Sequence, residues 1–288
     1  MFAQYRKELR SFFHNMVGVT YIALILVLVG IFATAYNFKG SYPTFEYALA
    51  QSTFILLLAV PILTMRSISE EKSSKTDQLL YSLPVGLPKI ILGKYLAMVT
   101  VHAAVTAVLF LYPLVFSFYV KVNFLMTYTG ILAFFLLGCT LIAIGMFISS
   151  LTENIVLSAI ITLGAMMFFY WVDAIAILIP GGDLASFICF GILALAVGAI
   201  VYIMTKNSLV SSVTTAVLAA SIAIVYLIKP DLFVGLFPTI LNTLAIFNRI
   251  NNFVYMGIFD ITSIVYYISI SSLFVFLTVR SMEKKRWS

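Results

Sequence analysis

Apolar residues run along this chain in eight long blocks separated by short polar intervals. The blocks are Val17–Tyr36, Tyr47–Met65, Tyr95–Val120, Phe124–Leu151, Ile155–Ile179, Leu184–Thr205, Leu209–Ile228 and Ile261–Val279. At about 20 residues each, every one is long enough to cross the hydrocarbon core of a bilayer as a helix. None carries the short alternating pattern of a barrel strand, and a lone helix satisfies its own backbone in lipid, so the blocks predict eight membrane-spanning helices. The longest polar interval is Met65–Lys94, MRSISEEKSSKTDQLLYSLPVGLPKIILGK. There Arg66 and Glu70, and then Glu71 and Lys75, stand four apart, which places each pair on one helical face as an expected ion pair. Thr76 or Asp77 is placed to cap a second short helix carrying Leu79, Leu80 and Leu83 and stopped by Pro84. Pro88 suits the first turn of the next helix. The interval reads as a polar hairpin at the membrane surface that offers a small apolar and charged face to something in the cytosol. The alternative is a solvated loop that only obeys topology.

Two other stretches depart from the span-and-loop pattern. In Met1–Met16, Phe2, Tyr5, Leu9, Phe12, Phe13 and Met16 recur at helical spacing, with Arg6, Lys7, Arg10 and His14 on the other side. That suits a helix lying among the headgroups of an anionic leaflet; a basic topology flag is the alternative. Pro230–Asp260 is too apolar for a free loop and too interrupted by Pro230, Pro238, Arg249, Asn251 and Asn252 for a full crossing. Short helices re-entering the outer leaflet are the expectation, with a loop folded on the outer helix ends as the alternative.

Composition agrees with this pattern: 62% of the 288 residues are hydrophobic and 10% charged, against about 45–50% and about 25% in globular domains. The net charge of +6 is explained by topology rather than by a nucleic-acid partner. Of the 17 Lys and Arg, all but Lys39, Lys121, Lys229 and Arg249 fall on one side when the spans are threaded with the N-terminus inside. The positive-inside rule therefore places both termini in the cytosol. Ala33-Thr34-Ala35 resembles a signal cleavage site, but removing the first block would break this charge pattern, so a retained helix is expected. Cys139 and Cys189 lie inside apolar blocks and read as buried thiols, not a disulfide or metal site.

No sequence pattern for chemistry is present. The chain lacks a phosphate-binding G-x-x-x-x-G-K-[ST] loop, H-E-x-x-H, C-x-x-C and G-x-S-x-G, so no catalytic, cofactor-binding or metal-binding residue is assigned. His102, inside the third block, is expected to be a neutral side chain bonded across helices. Glu46 and Asp173 sit near the outer ends of their blocks and Asp260 just before one, so no ionisable residue is centred where an ion-coupled carrier would need it. Gly138 with Gly145, Ala194 with Gly198 and Ala216 with Ala220 read as close-packing positions between helices.

Residues Glu70–Val85, EEKSSKTDQLLYSLPV, resemble the first cytosolic loop of ABC-2-type transporter permeases, whose form is roughly E-E-x-[KR]-x-x-G-T-x-E-x-L-L-x-x-P-[VI]. Glu70, Glu71, Thr76, Leu79, Leu80, Pro84 and Val85 fit, with a slip of one residue around the acid. Lys75 stands at the usual glycine and Gln78 near the usual glutamate. Ser149–Asn154, SSLTEN, and the closing stretch with Phe253, Gly257, Asp260 and Arg286-Trp287 are similar to the gliding-motility permease branch. The resemblance implies an all-α polytopic membrane protein with a six-helix permease core. The pair Leu184–Thr205 and Leu209–Ile228 is then an addition between core spans five and six. It also implies an interfacial helix before the first span and re-entrant helices, marked here by Phe253, Gly257 and Asp260, before the last. ATP and Mg would be bound by a cytosolic ATPase present in two copies, never by this chain. Arg66, Glu70, Glu71, Lys72, Thr76, Leu79, Leu80 and Leu83 would form the coupling helix that enters it. A second permease copy, the same or different, completes the assembly in a bacterial inner membrane, and an auxiliary membrane subunit with a large extracytoplasmic domain accompanies this branch.

The expected function is the permease of an ATP-driven exporter, itself no enzyme. The competing readings are a scaffold that relays ATPase motion to an extracytoplasmic partner without moving solute, and an autonomous ion-coupled carrier. The missing central charge argues against the carrier.

Overall fold

A computed structural model describes residues 2–39, 45–76, 86–119, 121–254 and 259–287. Among them there are helices and turns and no strand. Eight helical segments are long and apolar enough to cross a membrane: 17–37, 45–73, 87–117, 124–151, 155–178, 183–203, 208–228 and 261–284. Each coincides with one of the expected blocks, and the chain is an all-α polytopic protein.

The chain divides into two compact units, residues 1–170 with 246–288, and 171–245. In the first, α1 (Phe2–His14) is joined to α2 (Val17–Ala33) by a turn in which Met16 takes a left-handed φ of 56°. The second span is broken into α3 (Phe45–Ser52), a 3-10 turn and α4 (Leu56–Thr64). The break falls where the Ser52 and Thr53 hydroxyls donate to the carbonyls of Leu49 and Ala50, both at 2.7 Å, competing with the helical ladder. A five-residue helix, α5 (Ser69–Ser73), follows. The third span is α6 (Leu87–Leu109), with Pro88 in its first turn as expected, and α7 (Tyr112–Ser117). Pro113 brings no N–H to the ladder at their junction.

The axis of this unit is α8 (Phe124–Leu151), which packs against α3, α4, α5, α6 and the last span. Its contacts are close because two glycines seven residues apart make room for polar side chains. A Cβ at Gly138 would lie 2.0 Å from His102 Nε2, and one at Gly145 2.4 Å from Thr64 Oγ1. His102 is fully buried, shares a 2.8 Å hydrogen bond with the Tyr21 hydroxyl, and stacks on Phe135. It is thus bonded across helices α2 and α6. On the far side, Thr140 Oγ1 meets Tyr267 O and Ser271 Oγ, each at 3.2 Å. Polar links of this kind join helices where lipid offers no other partner. At its start α8 carries Thr127, whose hydroxyl donates to the carboxylate of Glu46, a residue buried in the first turn of α3.

The fifth span is α9 (Ile155–Leu178), and the unit boundary falls within it. The second unit contains the two extra spans, α10 (Asp183–Thr205) and α11 (Ser208–Ile228), as an antiparallel hairpin. The hairpin turns on Lys206, with φ of 50°, and on Asn207, whose Oδ1 accepts from Leu209 N at 3.0 Å. Gly198 lies against Thr215, and Phe187, Phe190, Tyr226 and Phe233 form an aromatic cluster at the open end. The stretch expected to be re-entrant is divided. Helix α12 (Leu236–Leu244) packs with the hairpin, whereas α13 (Ile250–Val254) packs on α3 and α8 in the first unit. The last span is α14 (Ile261–Trp287).

Gly138→Ala is expected to destabilise the protein by about 1–3 kcal/mol, because the added methyl displaces a packed ring. Thermal unfolding in detergent would measure this, and the cost should shrink in a His102→Ala background.

Candidate coupling site

The polar interval leaves α4 through Met65–Ile68 and enters α5. Two sets of interactions fix this segment. The first is to the end of α8: the backbone N–H groups of Ile68 and Ser69 donate to Ser149 Oγ at 3.2 and 3.1 Å, and Ser149 Oγ donates to Met65 O at 3.3 Å. Lys72 Nζ donates to Ser150 O, and the Ser69 hydroxyl donates to Met65 O. The second set centres on Lys94, in the second turn of α6 and only 3% exposed. Its ammonium is 2.8 Å from Glu71 Oε1, 2.9 Å from Glu8 Oε1 and 2.9 Å from Ser67 O. One cation therefore ties α1, the segment after α4, α5 and α6 into a single knot. An ammonium this deeply buried is tolerated only with such partners, since removal from water costs several kcal/mol.

The expected ion pairs within the segment do not form. Glu71 turns inward to Lys94 rather than to Lys75, and Arg66 and Glu70 are not paired with each other. Both line a small crevice of about 40 Å³ with Glu8 and Ser11 of α1 and with Asn15 in the turn after it. The physical reason is the brevity of α5: at five residues it has little more than one turn over which (i, i+4) partners can align. Lys75 ends it in the left-handed region, with φ of 55°. That conformation costs a β-carbon-bearing residue roughly 1–2 kcal/mol, and it lies at the position where the family form has glycine. Thr76 closes the turn, its N–H donating to Glu71 O at 2.9 Å.

Of the residues expected to couple, Arg66, Glu70 and Thr76 are exposed at this end of the bundle, whereas Glu71 and Lys72 turn inward to Lys94 and to the end of α8. Leu79, Leu80 and Leu83 lie outside the described residues. Glu8, Lys94, Ser149 and Ser150 complete the site and were not assigned to it from the sequence. A signal existed for Lys94: a cation that begins a long apolar run needs a partner.

The amphipathic helix α1 packs here as well. Tyr5 OH is 3.0 Å from Thr100 Oγ1 and Phe12 is buried, so part of its apolar face meets protein. Phe2 and Phe13 remain exposed, with Arg6 above the Phe2 ring at 4.8 Å.

The second expected set lies toward the other end of α8. Phe253 is fully buried, and its neighbour Val254 is within reach of Gly130, about 28 Å along the helix from Ser149. Gly257 is outside the described residues. Asp260 caps the last span: Oδ1 accepts from Thr262 N at 3.0 Å, and Oδ2 accepts from Ser263 Oγ at 2.5 Å and Asn252 Nδ2 at 3.1 Å. The Ser263 hydroxyl, with Asn252 and the helix-start N–H groups, holds the Asp260 carboxyl at about 2, below the ordinary value of about 3.9. The two sets of residues are thus separated by about the thickness of a bilayer core.

This arrangement defines a class: a multi-pass helical membrane protein whose apolar helices end in a compact charged knot. The family model for ABC-2 family transporter proteins matches residues 31–182, 152 of the 288 positions, and the chain belongs to that family. It is therefore a permease subunit of an ABC transporter. The match begins near the end of the first span, covers the second to fifth spans and ends one residue before α10. No curated protein and no solved structure matches the chain.

Lys94→Met is expected to cost about 3–5 kcal/mol, because it strands Glu71 and Glu8 without a counter-charge; a lowered Tm in detergent would register it. For Asp260, a depressed pKa in the folded state means that its stabilisation is complete above pH about 4 and is lost as pH falls toward 2. Asp260→Ala should therefore cost about 0.5–2 kcal/mol at neutral pH. The difference between variant and wild type should narrow when unfolding is followed downward from pH 4.

Proposed function

We propose that this chain is the transmembrane subunit of an ATP-driven ABC-2-type exporter of the gliding-motility permease branch. In this reading it sits in a bacterial inner membrane with both termini cytosolic. A cytosolic ATPase in two copies binds ATP and Mg, a second permease copy completes the pathway, and an auxiliary subunit with an extracytoplasmic domain joins them. The observation that carries the reading is the knot at Lys94. A segment protruding between the second and third spans moves other helices only if it is fixed to them. Here Ser149 and Lys94 fix Ile68–Glu71 to α8, α6 and α1 at once.

The mechanism follows from that attachment. Nucleotide binding closes the ATPase dimer, which has different affinities for the two permease conformations. The closing motion is delivered to Arg66, Glu70, Lys72, Thr76 and the Leu79-Leu80-Leu83 stretch beyond them. Glu71 and Lys94 pass it to the base of α6 and to α1, and Ser149 and Ser150 pass it to α8. The helices then rock to open a path outward. No residue of this chain reacts with ATP.

A scaffold that only relays ATPase motion to an extracytoplasmic partner would share the coupling but not the cargo pathway. Reconstituting permease and ATPase in vesicles separates the two, since a scaffold hydrolyses ATP without solute movement. Leu79→Asp is expected to lower transport at least tenfold while leaving unfolding unchanged. Transport and substrate-stimulated hydrolysis both intact in that variant would reject the coupling assignment.

A further inference from the structure

Helices α6, α8 and α14 of the first unit leave between them an open groove of about 430 Å³ that no part of the described chain fills. We infer that this groove is a binding site for an anionic phospholipid of the surrounding leaflet, one acyl chain lying in the groove and the phosphate at its basic mouth.

Three observations support the assignment. The first is length. The groove runs from Pro88 and Val279 at one end to Leu136 and Ile268 at the other. Ile268 and Val279 are eleven residues apart on one helix, about 17 Å at 1.5 Å per residue. That is about half of a 30 Å bilayer core, the depth of one acyl chain.

The second is the chemistry of the floor. Two of its polar side chains are committed to the protein: Tyr95 OH donates to Cys139 O at 3.2 Å, and Ser271 Oγ donates to Tyr267 O at 2.8 Å. Apart from the Ser272 hydroxyl on the wall, the surface left over is mainly apolar and suits a hydrocarbon occupant better than a polar helix or solute.

The third is charge. Lys89 follows Pro88 and Arg280 follows Val279, so each is the next residue along its helix at the same end of the groove. Lys89 is exposed and makes no ion pair among the described residues. The Arg280 guanidinium lies 5.1 Å above the ring of Phe276, which lines the groove. It gives one N–H to Glu283 at 3.0 Å, leaving donors of its planar fork for a phosphate. Toward the Ile268 end the Arg249 guanidinium is held 3.9 Å above the ring of Tyr266, outside the groove lining, so anionic headgroups belong at the Lys89 and Arg280 end.

Native mass spectrometry of the full-length chain in detergent tests the site, with phosphatidylglycerol and phosphatidylcholine of identical acyl chains as probes. Wild type should retain phosphatidylglycerol about fivefold over phosphatidylcholine, the scale of one cation near an anionic headgroup. Lys89→Gln with Arg280→Gln should bring the two to parity. Ile268→Trp or Ser272→Trp, both at exposed positions on the groove wall, should reduce retention of both lipids severalfold. Parity in wild type, or a preference that survives the double substitution, overturns the site. So does retention that ignores both tryptophans, which would leave a headgroup contact without a groove. A tryptophan that changes the oligomeric state while lipid retention stays constant would make the groove a contact for a second copy and equally overturn the inference.

Discussion

A single ammonium group governs the basic end of this bundle. Lys94 is carried near the start of a long, largely apolar helix, and its side chain is buried away from bulk water. Low-dielectric surroundings make an unpaired charge there prohibitive, so two carboxylates from distant parts of the chain, Glu8 and Glu71, and the Ser67 carbonyl must all converge on it. That requirement sets where α1 lies, how the segment after α4 turns, and which side of α5 faces inward. The free side of the same segment, with Arg66 and Glu70, is left to face outward from the knot. A tie of this kind is a physical network in the sense that displacement of one member strains the other three.

The same constraint operates deeper in the bundle with neutral groups. In lipid a polar side chain has no water to fall back on, so His102, Thr64, Thr140 and Ser271 all meet α8 or its neighbours through short polar or close steric contacts. Glycine at 138 and 145 is what lets these side chains approach. Much of α8 between Gly130 and Ser149 is buried against its neighbours. The two sets of assigned residues, Arg66–Thr76 at one end and Phe253 and Asp260 at the other, lie at opposite ends of this helix.

Much of this was legible in one dimension. All eight spans, the place of Pro88, the cross-helix bond of His102 and the separateness of the hairpin 184–228 follow from block length, local turn chemistry and the resemblance to a six-span core. Asp260 was picked out as a recognisable point, but its work as a helix cap was not, although Asp-Ile-Thr-Ser is a readable start signal. The ion pairs were misplaced for a definite reason. Helical periodicity says which residues share a face, whereas Glu71 is claimed by a lysine 23 positions away whose need for a counter-charge is greater than that of exposed Lys75. The glycine expected at position 75 was a conformational signal rather than a chemical one, and the lysine there adopts the left-handed geometry regardless.

Hydrophobic blocks and polar punctuation determined by themselves that this chain has eight helices long and apolar enough to cross a membrane, because backbone hydrogen bonding in lipid leaves helices as the only answer and about 20 residues as the needed length. Which polar group meets which was decided only by tertiary structure. Partners such as Glu8 with Lys94, Ile68 with Ser149, or Tyr21 with His102 lie about 80 or more positions apart, and the free energy that joins them arises from shared burial, which no local pattern encodes.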